Sequence, residues 1–305
     1  MTKQEEFFKF ARERHRIYLR RAEGKAFPWT DDPILQQNKF TNVFRELDRT
    51  TIWFRKNVRD VYDGRPEILL ATVIFRWFNR IETGEAIFCQ NDLFGKSSAF
   101  EEFLRTGETA VLARAIMAYC GKGPYFTGAY MIRSPTGMTK LNGILKMIQH
   151  FNYKSNWKWF AAEGADGRLS LEMMWSWLKE HPCQGPFHAY EVVTDLRHTF
   201  LLREAPDIMT WGNPGPGCKR GVSRILDLGT RKTRKGKTRP KVPTRKQIDD
   251  VMLDLLKKSR MKKYWPQNWT KWEMREVEHT LCEWDKYERI RCGQGRMKGR
   301  YRPNL

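Results

Sequence analysis

Two glycine-marked turns are the places where this chain could hold phosphate. The first is Pro182-Cys183-Gln184-Gly185-Pro186 and the second is Gly215-Pro216-Gly217-Cys218-Lys219-Arg220-Gly221. A turn that opens onto a helix presents unpaired backbone N–H groups to an anion. Glycine is needed where that backbone must come close or take positive φ. In the first turn Gln184, Gly185, Phe187 and His188 are the candidate DNA contacts. In the second, Gly215 and Gly217 supply backbone while Lys219 and Arg220 add two adjacent cations, which suits a smaller phosphate. Both have ordinary alternatives, since Gly-Pro turns also punctuate helices and a Lys-Arg pair also serves as solvated surface.

The elements that must position these turns read as helices. Leu171, Met174, Trp175 and Leu178 precede the first turn, and Ala189, Val192, Val193 and Leu196 follow it, each set spaced as one buried stripe. Such a helix, hairpin, helix unit aims its turn at a DNA phosphate. Further stripes run through Leu70, Val73, Ile74 and Trp77 after Pro66, through Leu112, Ala115, Ile116 and Tyr119, and through Leu141, Ile144, Leu145 and Ile148. Ile248, Val251, Met252 and Leu255 follow Thr244. Ser98 with Glu101 forms a capping-box pattern, as does Thr270 with Glu273 ahead of a helix through Val277, Leu281 and Trp284. Strand alternation is nearly absent, so the spacing predicts an all-α protein.

Composition names the kind of partner. The chain has 305 residues and a formal net charge of +21, which points to a polyanion, with nucleic acid first. No run of about 18 apolar residues suits a membrane span, and the charged, aromatic N-terminus has no secretory pattern. Six cysteines form no CxxC pair and no zinc-ligand spacing, so no metal site is predicted. Gly95-Lys96-Ser97 looks like the end of a P-loop, but that motif needs glycine where Gln90 stands, which sets an ATPase aside.

Charge is also patterned along the chain. Residues 229–246 hold nine basic residues and no acidic one, among Pro, Gly and Thr, and read as a flexible loop. Arg231, Lys232, Arg234, Lys235 and Lys237 are its candidate DNA contacts, expected to gain order only on DNA. A second basic run holds Lys286, Arg289, Arg291, Arg296, Lys298, Arg300 and Arg302. Three constellations place charge on apolar helices: Arg45, Glu46, Asp48 and Arg49; Arg76, Asn79, Arg80 and Glu82; and Glu278, His279, Glu283, Asp285, Lys286 and Tyr287. An arginine leaving a buried helix needs a partner, either an internal acid or an anionic ligand.

The segments FTNVFRELDRTT (40–51), FRWFNRIETGE (75–85), QGPFHAYEVVTDLRHT (184–199), NPGPGCKRG (213–221) and EHTLCEWDKYERIRCGQG (278–295) together resemble the α-glutamyl/putrescinyl thymine pyrophosphorylase family of bacteriophages. That family is related to the helical domain found with 5-hydroxymethyluracil DNA kinases. The resemblance extends over nearly the whole chain. It implies a fold like the helix-hairpin-helix DNA glycosylases, a single catalytic domain over 1–305 with two helical lobes around a DNA-binding cleft. The implied reaction is thymine hypermodification, in which the amine of an amino acid such as glycine or glutamate, or of a polyamine, displaces pyrophosphate from 5-pyrophosphoryloxymethyluracil in DNA.

Under that resemblance Lys219 and Arg220, with Gly215 and Gly217, would stabilise departing pyrophosphate, helped by Arg45, Arg49 or Arg80. Trp77, Phe187 or Tyr190 would stack on the flipped base. Asp195 is the first candidate for general base, with Asp48 and Glu283 in reserve. Arg76 or Arg197 would hold a donor carboxylate, while Glu278, Glu283 and Asp285 would suit a polyamine; Asn79, Lys286 and Tyr287 complete the substrate set. Where a glycosylase places its aspartate this chain has Asn213-Pro214-Gly215-Pro216-Gly217, and Asp207 stands nearby in a different context. The expected partners are double-stranded DNA containing modified thymine and an amine donor, for a monomer in the cytoplasm of an infected bacterial host. No cofactor is assigned beyond the amino acid or polyamine co-substrate, and a divalent metal is compatible. The competing readings are a glycosylase acting on a modified base and a non-catalytic DNA-binding protein.

Overall fold

A computed structural model describes residues 1–90, 92–165, 167–232, 234, 238–295 and 300–301, without the side chains of 164, 165 and 239. In chain order the helices are α1 (Lys3–Ala22), α2 (Pro33–Gln37), α3 (Arg49–Phe54), α4 (Asp60–Tyr62), α5 (Glu67–Phe78), α6 (Ile81–Phe88), α7 (Ala99–Thr106), α8 (Thr109–Cys120), α9 (Lys140–Lys154), α10 (Trp157–Ala165), α11 (Leu171–Lys179), α12 (Gly185–Leu196), α13 (Pro216–Ile225), α14 (Arg245–Lys258) and α15 (Met274–Arg291). The protein is all-α. The strands among the described residues are β1 (Thr230–Lys232) and β2 (Thr238–Pro240), paired antiparallel with Arg231 opposite Arg239. Part of the segment expected to be a loop is therefore a short ribbon.

The chain divides into two compact units, residues 1–48 with 208–305, and residues 49–207. In the first, Phe7, Phe8 and Ala11 bury one face of α1 with Trp272 and Trp284. The two phenylalanine rings stand edge-on to each other at 5.1 Å, and Phe7 meets Trp284 at 5.8 Å. Thr2 and Glu5 cap α1 reciprocally, as Thr244 and Gln247 cap α14. The cap of α15 departs from the expected Thr270 pair. Its N-terminus is formed by Glu273 and Glu276, because the Thr270 carbonyl accepts the indole N–H of buried Trp265 at 3.0 Å and belongs to the preceding turn.

In the second unit α5 is buried from Ile68 to Phe78, so it is the central helix. Its all-round apolar surface requires neighbours on every side. Thr72 satisfies its hydroxyl on the Ile68 carbonyl at 2.7 Å. Helices α11 and α12 form the expected helical hairpin around 180–184, with Cys183 and Gly185 at φ +63° and +62°. The Ser98 and Glu101 capping box opens α7 as expected.

Candidate nucleic-acid interface

The glycines of the second turn turn out to serve packing. Helix α13 begins at Pro216, so Lys219 and Arg220 lie within it and not in a loop. A Cβ on Gly217 would collide with Cys282 Sγ, and one on Gly221 would lie 2.6 Å from the Leu281 carbonyl oxygen. The small residues four apart let α13 press its backbone onto α15. The helix N-terminus already has a carboxylate, since Gly215 N–H donates to Glu278 Oε1 at 3.2 Å. This corrects the expected anion loop at Gly215 and Gly217.

That close packing brings a different group of cations together. Asp285 on α15 is fully buried, and three arginines converge on it. Arg220 Nε donates to Oδ2 at 2.7 Å and Arg224 Nε to Oδ1 at 3.0 Å, while Arg289 Nε forms an ion pair at 3.5 Å. Each uses Nε, which leaves the terminal amino groups for other partners; one of them on Arg224 donates to Gln294 at 2.8 Å. Side-chain exposure is 35% for Arg220, 35% for Arg289 and 13% for Arg224. Three guanidiniums on one carboxylate leave an excess of two positive charges held in fixed geometry, the arrangement that suits phosphate oxygens. Arg220 was expected at an anion site, Asp285 as an acid for a polyamine, and Arg224 had no expected role. Their i, i+4 spacing, Arg220 with Arg224 and Asp285 with Arg289, was the available signal.

Elsewhere in the first unit, acids proposed as bases are tied into structure. Asp48 accepts from Asn42 N–H at 3.0 Å and from its side-chain amide at 2.9 Å, and burial raises its pKa against those bonds. Glu283 accepts from Thr41 N–H at 3.3 Å and from Lys286. Tyr287 donates to Asp32 at 2.7 Å, and burial followed by that bond raises its pKa. Buried Arg14, unforeseen in the sequence, donates to the Phe40 carbonyl at 3.0 Å and Asn42 Oδ1 at 2.8 Å. Arg45 opens a single turn, Arg45–Leu47. Arg231, Lys232 and Arg234 are exposed along the ribbon; Lys235 and Lys237, with Arg296, Lys298 and Arg302, lie outside the described residues.

The second unit holds the hairpin. Gln184 and His188 are buried and hydrogen-bonded to each other through Gln184 Oε1 and His188 Nδ1. His188 stacks on Trp77 at 5.6 Å, and burial lowers its pKa to about 4. Trp77 and Tyr190 are core residues, which corrects the expectation that they stack on a base; Phe187, 49% exposed, remains available. Arg76 makes a bidentate pair with Asp195 at 2.5 and 2.6 Å, reaches Glu191 at 3.2 Å and donates to Asn79 Oδ1 at 3.1 Å. Burial opposes the charge on Arg76, yet the two carboxylates outweigh it and raise its pKa. Asp195 is thereby a buried ion-pair partner. Asn79 ends α5 at φ +45°, Arg80 pairs with Glu82 at 3.2 Å, and exposed Arg49 begins α3. Asp207 caps α11, accepting from the N–H groups of Leu171 and Glu172 at 2.8 and 3.0 Å. Among the described residues no three His, Cys, Asp or Glu gather as metal ligands, and no helix is long and apolar enough to cross a membrane.

Comparison with known proteins assigns the family. No solved structure matches. A curated relative from Bacillus phage SP10, a 5-hmdU DNA kinase, is 31% identical over 242 residues, covering 71% of this chain and 35% of the relative. The chain thus spans about a third of that kinase's length. The family described as "5-hmdU DNA kinase, helical domain" matches residues 2–297. These matches overturn the assignment to the α-glutamyl/putrescinyl thymine pyrophosphorylase family. The amine-transfer reaction falls with it, and so do the pyrophosphate-release and amine-activation roles given to Lys219, Arg220, Asp195, Asp48 and Glu283 and the donor-binding roles given to Arg76 and Arg197. The chain belongs to the 5-hmdU DNA kinase helical-domain family.

Proposed function

We propose that this chain takes part in phosphorylating 5-hydroxymethyluracil in phage DNA, as the helical domain that grips the duplex and presents the modified base. The reaction class is phosphoryl transfer: the hydroxymethyl oxygen attacks the γ-phosphorus of ATP, the bond to the bridging oxygen breaks, ADP leaves and the hydroxyl proton passes to a base. The sequence has no complete GxxxxGK[ST]: ahead of Gly95-Lys96-Ser97 and of Gly236-Lys237-Thr238, Gln90 and Arg231 stand where the motif's first glycine belongs. Nucleotide binding is therefore assigned to a P-loop kinase segment of the kind that the longer relative has room for. The observation that carries the DNA-gripping role is the open arginine cluster on Asp285. It supplies preorganised, salt-sensitive phosphate contacts, and the net charge of +21 favours a polyanion over any small neutral substrate.

In this reading the chain has a helix-hairpin-helix, glycosylase-like fold, and the target base is flipped out for phosphorylation at a cost of a few kcal/mol. The protein works as a monomer in the cytoplasm of the infected host, with no cofactor beyond ATP and its divalent cation.

A direct test uses duplexes with one 5-hydroxymethyluracil, ATP labelled on the γ-phosphate, and the protein with and without the part of the Bacillus phage relative that lies outside the matched region. Label should enter DNA when both proteins are present, and nucleoside mass spectrometry should find the phosphomonoester. An abasic site would instead make this a glycosylase. Absence of duplex binding, or phosphorylation unaffected by omission of this chain, would overturn the proposal.

A further inference from the structure

Beside the α11–α12 hairpin, one apolar side chain is displayed on a firmly tied segment. Met131 is 88% exposed, between half-buried Tyr130 and buried Ile132. The stretch leading to it is fastened at several points. Thr83 Oγ1 donates to the Tyr125 carbonyl at 2.7 Å, Phe126 stacks on Phe78 at 5.2 Å, and Thr127 N–H donates to the Phe78 carbonyl at 2.8 Å. Tyr130 Oη then donates to the Arg76 carbonyl at 2.9 Å. A flexible tail could carry a methionine for no reason, but here four ties and a buried neighbour hold the backbone while the thioether faces water.

Its surroundings identify what it could meet. Tyr130 also packs edge-on against Phe187 at 5.1 Å, which places the half-exposed ring at the start of α12 next to this segment. Cations lie around the hairpin as well: Arg133 is near enough to act on the Cys183 thiol in the hairpin turn, and Lys179 lies 4.0 Å over the Trp175 ring, whose indole N–H donates to the Pro186 carbonyl at 2.9 Å. An exposed methionine next in sequence to the Tyr130–Phe187 contact, with Arg133 two residues on, combines the apolar and cationic groups that suit a duplex, apolar between base pairs and anionic at the backbone. Proteins that insert Met, Leu or Phe between base steps unstack them and kink the helix.

We propose that Met131, supported by Phe187, is a wedge that enters the base stack of duplex DNA and lowers the cost of extruding 5-hydroxymethyluracil. The inference rests on the DNA-binding part of the function proposed above and adds the residue that performs the unstacking. Methionine suits the task, since its flexible, polarisable thioether adapts to stacked bases without a hydrogen-bonding group to desolvate.

The experiment places 2-aminopurine beside 5-hydroxymethyluracil in a duplex and records fluorescence and anisotropy on titration with the full chain. Wild type should raise the fluorescence at saturation by roughly threefold or more, as expected for an unstacked neighbour. Met131→Ala, a surface change that leaves the core intact, should lose most of that rise while its Kd weakens less than about tenfold. Met131→Leu should retain the rise, and placing the modified base in a mismatch, already partly unstacked, should restore the signal to Met131→Ala. An undiminished rise with Met131→Ala and with Met131→Ala combined with Phe187→Ala would overturn the wedge, as would wild-type binding with no rise at all. Failure of wild type to bind any duplex would sink the DNA-binding reading itself, so the two failures are distinguishable.

Discussion

The two arginine clusters use the same chemistry in opposite proportions. Around Arg76, one guanidinium meets two buried carboxylates, Asp195 and Glu191, and the cluster has no positive charge left to offer. Around Asp285, one buried carboxylate meets three guanidiniums, two of them about a third exposed. The first is closed and holds α5 to α12; the second is open and holds cations outward. Charge stoichiometry and exposure, more than the presence of arginine, separate a structural ion pair from a binding site.

The largest effect should come from breaking the closed cluster. Arg76→Ala would leave Asp195 and Glu191 buried without their cation, which should cost about 3–5 kcal/mol of stability in urea unfolding. A loss below about 1 kcal/mol would show that water reaches these acids and that the cluster is not closed. Next comes acid. His188, packed beside the closed cluster, is lowered from 6.5 to about 4 by burial. Between those values the unfolded chain takes up a proton that the folded chain refuses, so stability falls as pH drops from about 6.5 to about 4 and levels off below. The linkage amounts to on the order of 3 kcal/mol, and His188→Gln should flatten that part of the stability profile.

A smaller effect tests what holds the open cluster in place. Gly221→Ala would push α13 off the Leu281 carbonyl, costing about 1–3 kcal/mol and weakening DNA binding by displacing Arg220 and Arg224 from Asp285. Normal affinity in a destabilised variant would show that the clamp does not depend on this close approach. Smallest should be Arg231→Ser with Lys232→Ser on the exposed ribbon. These side chains are exposed and make no ion pair among the described residues, so the slope of log K against log salt should flatten by less than about one per residue.

Much of the fold was legible because burial leaves a period. The stripes through Leu70, Leu141, Leu171, Val192 and Ile248 all lie on helices. Helix α1 went unread although Thr2 and Glu5 form a capping box, because Arg14 and His15 are buried with Phe7, Phe8, Ala11 and Ile17 and break the apolar stripe. The functional features were less legible for a physical reason. Asp195 lies 119 residues from Arg76 and Asp285 lies 65 from Arg220, and no local pattern records which distant charges meet. Gly217 and Gly221 show the converse ambiguity: a glycine that admits a phosphate and one that admits another helix look alike in sequence, and only their neighbours on α15, Cys282 and the Leu281 carbonyl, distinguish them. Met131 gave no signal, since exposure on a tied segment is a property of the fold.

The central claim is that the open cluster on Asp285 grips DNA phosphates, and its most direct test is the salt dependence of duplex binding by Arg220→Gln with Arg289→Gln. Arg224 stays to satisfy Asp285, so the variant should fold. If both arginines meet phosphate, the slope of log K against log salt should flatten by roughly two and affinity should fall for every duplex sequence alike. A slope equal to that of wild type, with the protein folded, would contradict the account.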